Sequence, residues 1–205
     1  ISEEIFLKKS SLELKKNKLI VNLGHVGGTA NTLGLKILVD NFLPIFKNKF
    51  HEPFEMHILG RGDLSKELQK KISYFSEIKV RGFVEDIDRE IQESKAVITL
   101  NNASTFKVGH SRFLHIMALG TVNIGHIDVC LSMPELKSSY NVLLGSSIED
   151  IADKTILALT NKKIRQNIAS NALITLKDKY ECSIVAEEIK EDIEQLYNKG
   201  KSKDD

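Results

Sequence analysis

The sequence predicts an α/β fold: a doubly wound parallel sheet of about six strands, with helices on both faces and further helices appended at the C-terminus. Three observations carry this. Short apolar runs alternate with amphipathic stretches, the pattern of consecutive β–α–β units. Glycine-rich turns follow the first two runs, at residues 24–28 and 60–62. The apolar run at 96–100 leads through residues 102–110 to a helix opening near His110 or Ser111. Such a junction aims unpaired backbone N–H groups and the positive end of a helix dipole at one point above the sheet. That geometry suits a phosphate.

The elements follow in order. Residues 19–23 form the first strand, with a loop through Thr32. Leu35, Leu38, Val39, Phe42 and Phe46 then recur at helical spacing. Residues 54–59 form the second strand, closed by Gly60-Arg61-Gly62, and Asp63 is the expected cap of a short helix carrying Leu64 and Leu68. A third strand at 78–83, a short helix anchored by Ile87 and Ile91, and a fourth strand at 96–100 come next. The helix at 111–119 stops at Gly120, a natural C-terminal glycine. A fifth strand at 121–124 and a brief sixth at 142–144 complete the sheet. Ser146 and Glu149 have the spacing of a capping box opening a helix at 148–159. Two further helical stretches follow, the last with Val185, Ile189, Ile193 and Leu196 on one face.

A chain of 205 residues is long enough for one large domain, able to bury roughly 70% of its unfolded surface. With 41% hydrophobic and 28% charged residues the composition is that of an ordinary globular protein. The balance of 29 basic and 28 acidic residues leaves no global field to capture nucleic acid. The chain has no tryptophan, and its phenylalanines fall on core positions, which argues against a base-stacking platform for single strands. Cys130 and Cys182 stand alone without metal-ligand or redox-motif spacing, as reduced thiols of the cytosol do. There is no signal-peptide pattern and no long uncharged apolar run. The expected location is the cytoplasm or the inner face of its membrane. Lys8, Lys9, Lys15, Lys16 and Lys18 read as a solvated linker, with a membrane-surface patch as the alternative. The expected organisation is a linker from a separate N-terminal domain at 1–17, one domain at 18–198 and a disordered tail at 199–205.

With the elements laid out, the chain resembles the C-terminal, donor-binding domain of a GT-B glycosyltransferase, in particular the large family 4 (group 1) of retaining enzymes. The resemblance covers residues 17–185. It rests on Asn22-Leu-Gly24, Ala30-Asn31, Leu38-Val-Asp-Asn-Phe-Leu-Pro44 and His57-Ile-Leu-Gly60. It rests further on Val80-Arg-Gly-Phe-Val-Glu-Asp86, where the family shows V-x-G-x-V-x-D, and on Arg112-Phe-Leu-His-Ile-Met-Ala-Leu-Gly120, where it shows K-x-L-E-A-M-A-x-G. The resemblance implies a Rossmann-like domain that binds a nucleotide-diphosphate sugar, UDP- or GDP-linked, for transfer to a sugar or lipid-linked acceptor. It implies Phe83 and Val84 near the base, Val108, Gly109 and His110 as amide donors to phosphate, and Arg112 near the donor. Neither a metal nor a cofactor is implied.

The departures from the family are specific. The paired glutamates, eight positions apart, are here Lys107 and His115. Lysine accepts no hydrogen bond, and neutral imidazole offers one acceptor and one donor. Where the family carries a basic pair after the first strand, this chain has His25, then Thr32 or Leu33. The phosphate charge would be offset by Lys107, Arg61 or Arg112 instead.

Each signal has a plainer reading beside it. Gly24 and His25, within Gly24-His-Val-Gly-Gly28, belong either to a loop approaching a phosphate or to a plain turn with Asn31 capping the next helix. Arg61 is either a bidentate phosphate ligand or an exposed turn residue. His110 and His115 are ligand contacts or surface histidines. Lys107 pairs with a diphosphate or is solvated. No spacing among His25, His110, His115 and His126 resembles a zinc site, and no nucleophile constellation identifies a catalytic residue. An NAD-type domain would need GxGxxG at the first strand and an acidic residue ending the second, where Arg61 stands instead. The leading expectation is therefore the donor half of a sugar transferase. The alternative is a degenerate domain of the same fold serving as a regulatory or assembly partner.

Overall fold

A computed structural model of the protein describes residues 17–101 and 111–201. The sheet is made of β1 (Asn17–Leu23), β2 (Phe54–Leu59), β3 (Ile78–Gly82), β4 (Ala96–Thr99), β5 (Val122–His126) and β6 (Leu143–Gly145). Every pairing is parallel, and the strands lie in the order β3-β2-β1-β4-β5-β6. Strand order therefore reverses between β1 and β4. In such sheets the crevice at the reversal opens at the carboxyl ends of the strands. The inner strands are buried on both faces, which is why they read as near-continuous apolar runs. The edge strand β3 differs: Lys79, Val80 and Arg81 are exposed, and charge on an edge discourages pairing with another chain.

Helices α1 (Thr29–Ile37), α2 (Leu43–Lys49) and α3 (Lys66–Ile72) cover one face of the sheet; α4 (Ile87–Gln92) and α5 (Ser111–Ala118) cover the other. Helix α6 (Ile148–Thr160) returns to the first face through Ile151, Ala152, Ala158 and Leu159. Helix α7 (Lys162–Tyr180) packs Ala172 and Leu176 against Phe113 and Met117 of α5. Helix α8 (Cys182–Lys201) runs on from it, into the stretch expected as a tail from residue 199. Its Ile189, Ile193 and Leu196 are exposed. Among the described residues no helix is long and apolar enough to cross a membrane.

Alternation along β1 sends Leu19 and Val21 to one core and Ile20 to the other. A register shift between Ile20 and Asn22 then lets Leu23 pack on the side of Ile20. Between α1 and α2 the helix widens into a π turn at Leu38–Phe42. Periodicity alone would not reveal that extra residue. Phe42, Phe46 and Phe50 stack in series from this turn, with centroid separations of 5.4 and 5.3 Å, and Phe54 of β2 meets Phe46 and Phe50 edge-on at 5.0 and 6.1 Å. Each such aromatic contact contributes roughly 0.5–1.5 kcal/mol beyond simple burial.

Three expected caps move. Helix α3 is capped by Ser65, whose Oγ accepts from the Leu68 N–H, rather than by Asp63. Both residues are good N-caps two positions apart, and only the path of the chain decides between them. Helix α6 is capped by Ser147 with Asp150, one position beyond the expected Ser146 and Glu149. Glu149 instead pairs with Lys49 at 3.0 Å. Asn31 is no cap: α1 opens earlier, behind Gly28, and Asn31 lies buried within it. Gly120 does end α5, at φ 63°, the left-handed conformation that glycine adopts without strain.

Candidate functional site

The loops after β1 and β2 are laced together at the carboxyl edge of the sheet. The Val26 N–H donates to the Arg61 carbonyl (2.9 Å), and the Gly24 N–H to Leu59 O (3.2 Å). Buried Asn22 adds two bonds from Nδ2, to Leu59 O and Gly24 O. Gly60, at φ 143°, passes so close to Gly24 that a Cβ there would lie 1.7 Å from the Gly24 carbonyl oxygen. The exposed His25 ring lies over Gly27 and Gly62: a Cβ on either would come within 3 Å of it. The glycines therefore serve the close approach of two loops, and His25 roofs their junction.

Arg61 is stacked. Its guanidinium carbon lies 4.4 Å from the centroid of Phe83, whose ring is 59% exposed at the end of β3. A guanidinium stacked by its face keeps its in-plane N–H groups available for an anion. Val84 turns partly inward, against the core shared with Ile87.

The densest polar arrangement sits over the strand reversal. Asn31 Nδ2 donates to the His25 carbonyl (2.7 Å), while its Oδ1 accepts from Asn101 Nδ2 (3.3 Å) and from Arg112 Nη1 (3.3 Å). Asn31 lies on α1, over one face of the sheet; Arg112 lies on α5, over the other. Their bond must therefore cross above the ends of β1 and β4. Gly34 allows α1 to come this near, since a Cβ there would lie 2.8 Å from the Asn101 backbone nitrogen. Burial alone pulls the Arg112 guanidinium below its ordinary pKa, and among the described residues no carboxylate pairs with it. Guanidinium remains protonated regardless. A half-buried full positive charge is thus held by a neutral amide at the mouth of the crevice.

His115 faces away from this cluster, toward α4. Its Nε2 lies 2.7 Å from Asp88 Oδ1, and both side chains are about half exposed. A carboxylate only accepts, so Nε2 carries the hydrogen and Nδ1 is the nitrogen left for a ligand. His126, at the end of β5, is occupied by the Asp128 N–H and the Ser146 carbonyl. Among the described residues no group of His, Cys, Asp and Glu converges as a metal site would require. Lys107, Val108, Gly109 and His110 lie outside the described residues.

Of the expected residues, Gly24, His25, Arg61, Phe83 and Arg112 all fall at the carboxyl edge, and His115 points to its side. Asn31 and Asn101 complete the cluster and were not expected there. The available signal was the asparagines themselves: Asn22 interrupts an apolar strand, and Asn101 directly follows one. A buried amide at such a position requires partners.

The family profile described as Glycosyl transferases group 1 matches residues 18–161, from β1 to the end of α6. The chain belongs to that family. Solved structures similar to this group 1 glycosyltransferase domain include S. aureus TarM in complex with UDP (15% identity, TM-score 0.66, covering 85% of this chain and 35% of TarM). Anabaena HepE in complex with UDP and glucose is similar too (18%, 0.65, covering 95% and 53%). So is the C-terminal domain of the group 1 protein LpcC from Francisella tularensis (18%, 0.53, covering 88% and 93%). At these identities the likeness is one of fold. The chain spans about a third to a half of the length of TarM and HepE. No curated protein matches its sequence.

Proposed function

We propose that this chain is the donor-binding half of a group 1 glycosyltransferase. It holds a nucleotide-diphosphate sugar, UDP- or GDP-linked, whose hexose passes to a sugar or lipid-linked acceptor in polysaccharide or glycoconjugate synthesis. The acceptor groove belongs to an N-terminal domain, and the work is done in the cytoplasm or at the inner face of its membrane. The observation that carries the reading is Arg112, a half-buried cation whose partner among the described residues is a neutral amide, set above the strand reversal.

Departure of a nucleoside diphosphate leaves negative charge on the leaving group, which preorganised cations and amide dipoles stabilise. Arg112 stands where the pyrophosphate of a ligand in the crevice would lie. Arg61 reaches the same rim while stacked on Phe83, and Phe83 with Val84 borders the base. Lys107 and the amides of Val108, Gly109 and His110 belong to the same proposal as further phosphate donors. His115, with Asp88 fixing its tautomer, offers Nδ1 to the ribose in place of a glutamate. The UDP complexes of TarM and HepE support a uridine nucleotide first.

Titration calorimetry and thermal shift with UDP, GDP and ADP test this. Binding heat and a raised melting temperature are expected with one base preferred, in the range of about 1 mM or tighter. No heat and no shift with any of the three overturns the reading.

A further inference from the structure

We propose that Asn31 is a positioning residue that fixes Arg112 with a neutral partner, so that the guanidinium turns its whole charge on the donor's diphosphate. The inference rests on the donor-binding reading given above and concerns how that site is held.

Three features of the geometry carry it. Asn31 is buried and uses both ends of its amide: Nδ2 holds the His25 carbonyl, and Oδ1 receives Asn101 and Arg112. It is thus the one described side chain that bonds the glycine-rich loop after β1, the end of β4 and α5 together. These three segments meet at the strand reversal. Next, the partner is a neutral amide, whose Nδ2 also serves as a donor to the His25 carbonyl. A half-buried arginine in a protein is ordinarily matched by a carboxylate, because an unpaired buried charge is costly. Arg112 lacks one among the described residues, and burial is the sole cause of its pKa shift. Leaving a desolvated charge unneutralised makes sense where an outside anion completes the pair. Finally, Arg112 reaches over the sheet edge from the opposite face, so without Asn31 nothing described would hold its head group at the reversal.

Asparagine and aspartate differ here by one group, yet their expected effects diverge. Asn31→Asp supplies the missing counter-charge, neutralises Arg112 and turns an oxygen toward the His25 carbonyl. Asn31→Ala frees the guanidinium to wander and also releases the His25 carbonyl and Asn101, without adding a counter-charge. A purely structural role for Asn31 would change stability without depending on Arg112.

The test is UDP affinity by calorimetry for the wild type, Asn31→Asp, Asn31→Ala, Arg112→Gln and the two double variants, with melting temperatures alongside. Loss of a charge-assisted contact predicts that Asn31→Asp binds about tenfold or more weakly, with Asn31→Ala between it and the wild type. In the Arg112→Gln background either Asn31 change should cost clearly less than it does in the wild type, because part of its effect runs through Arg112. If Asn31→Asp does not fold, the Asn31→Ala cycle decides alone. Wild-type affinity in the Asn31 variants, or losses that add in full to that of Arg112→Gln, overturns the inference while leaving donor binding intact. A wild type that binds none of UDP, GDP and ADP removes donor binding and this role together.

Discussion

Single side chains at this sheet edge do their work by what they leave unpaired. Arg112 keeps its charge because its partner is an amide, and Arg61 keeps its in-plane donors because its partner is a ring. The opposite case is His57 on β2, 4% exposed. Burial first, then Lys18 and Arg81, hold its pKa below the ordinary value, against the opposing pull of Glu55 and Glu90. Nδ1 has no hydrogen-bond partner, lying 3.8 Å from Glu90. The native state therefore binds this proton less readily than the unfolded chain. The resulting stability is complete above the free-histidine value near 6.5 and is lost as the pH falls through it toward the folded value. Urea unfolding at about pH 7.5 and about pH 5.5 should show a smaller acid-induced loss for His57→Leu than for the wild type. An equal loss in both would show that His57 does not titrate with folding. Arg61 and His25 on turns, and Arg112 in the first turn of α5, stand out in the sequence by chemical type. Asn31 does not. Its type suits a cap as well as a core hydrogen-bonding position, and only the early start of α1 at Thr29 decides between them.

Elements were legible where burial imposes a strong pattern. The strands announced themselves because parallel strands buried on both faces read as unbroken apolar runs, and Phe54–Leu59 matches its expected limits. Turns and caps were less legible, because several residues in a row satisfy the same local rule. Ser146 and Ser147 are adjacent, and the choice falls on Ser147 because its Oγ meets the Asp150 N–H at 3.1 Å while the Asp150 carboxylate answers the Ser146 N–H at 3.0 Å. Ser147→Ala should cost about 1 kcal/mol in urea unfolding, whereas Ser146→Ala, which keeps its backbone N–H, should cost a few tenths at most. Equal losses would return the cap to Ser146. The π turn at Leu38–Phe42 had no sequence signal, since its extra residue preserves the apolar face that carries Phe42 and Phe46 into the core.

At the scale of the whole molecule, one topological fact concentrates the chemistry. In sheets whose strand order reverses, as here between β1 and β4, a crevice opens at the carboxyl ends, and the joined loops after β1 and β2 lie at that edge with exposed polar groups. The net charge of +1 supplies no long-range field, so on this account binding depends on these few placed groups. The opposite edge of the sheet has a groove of its own, lined by Phe50, Glu52, Phe54 and Lys79, with Lys47 and Glu77 already paired across it. Backbone amide chemical shifts during a UDP titration separate the two edges most directly. The account predicts saturable shifts at Gly24 to Gly28, Gly60 to Gly62, Phe83, Val84, Asn101 and Arg112, with Phe50 to Phe54 and Lys79 unmoved. Shifts confined to the groove at the opposite edge, or no shifts at all, would contradict it.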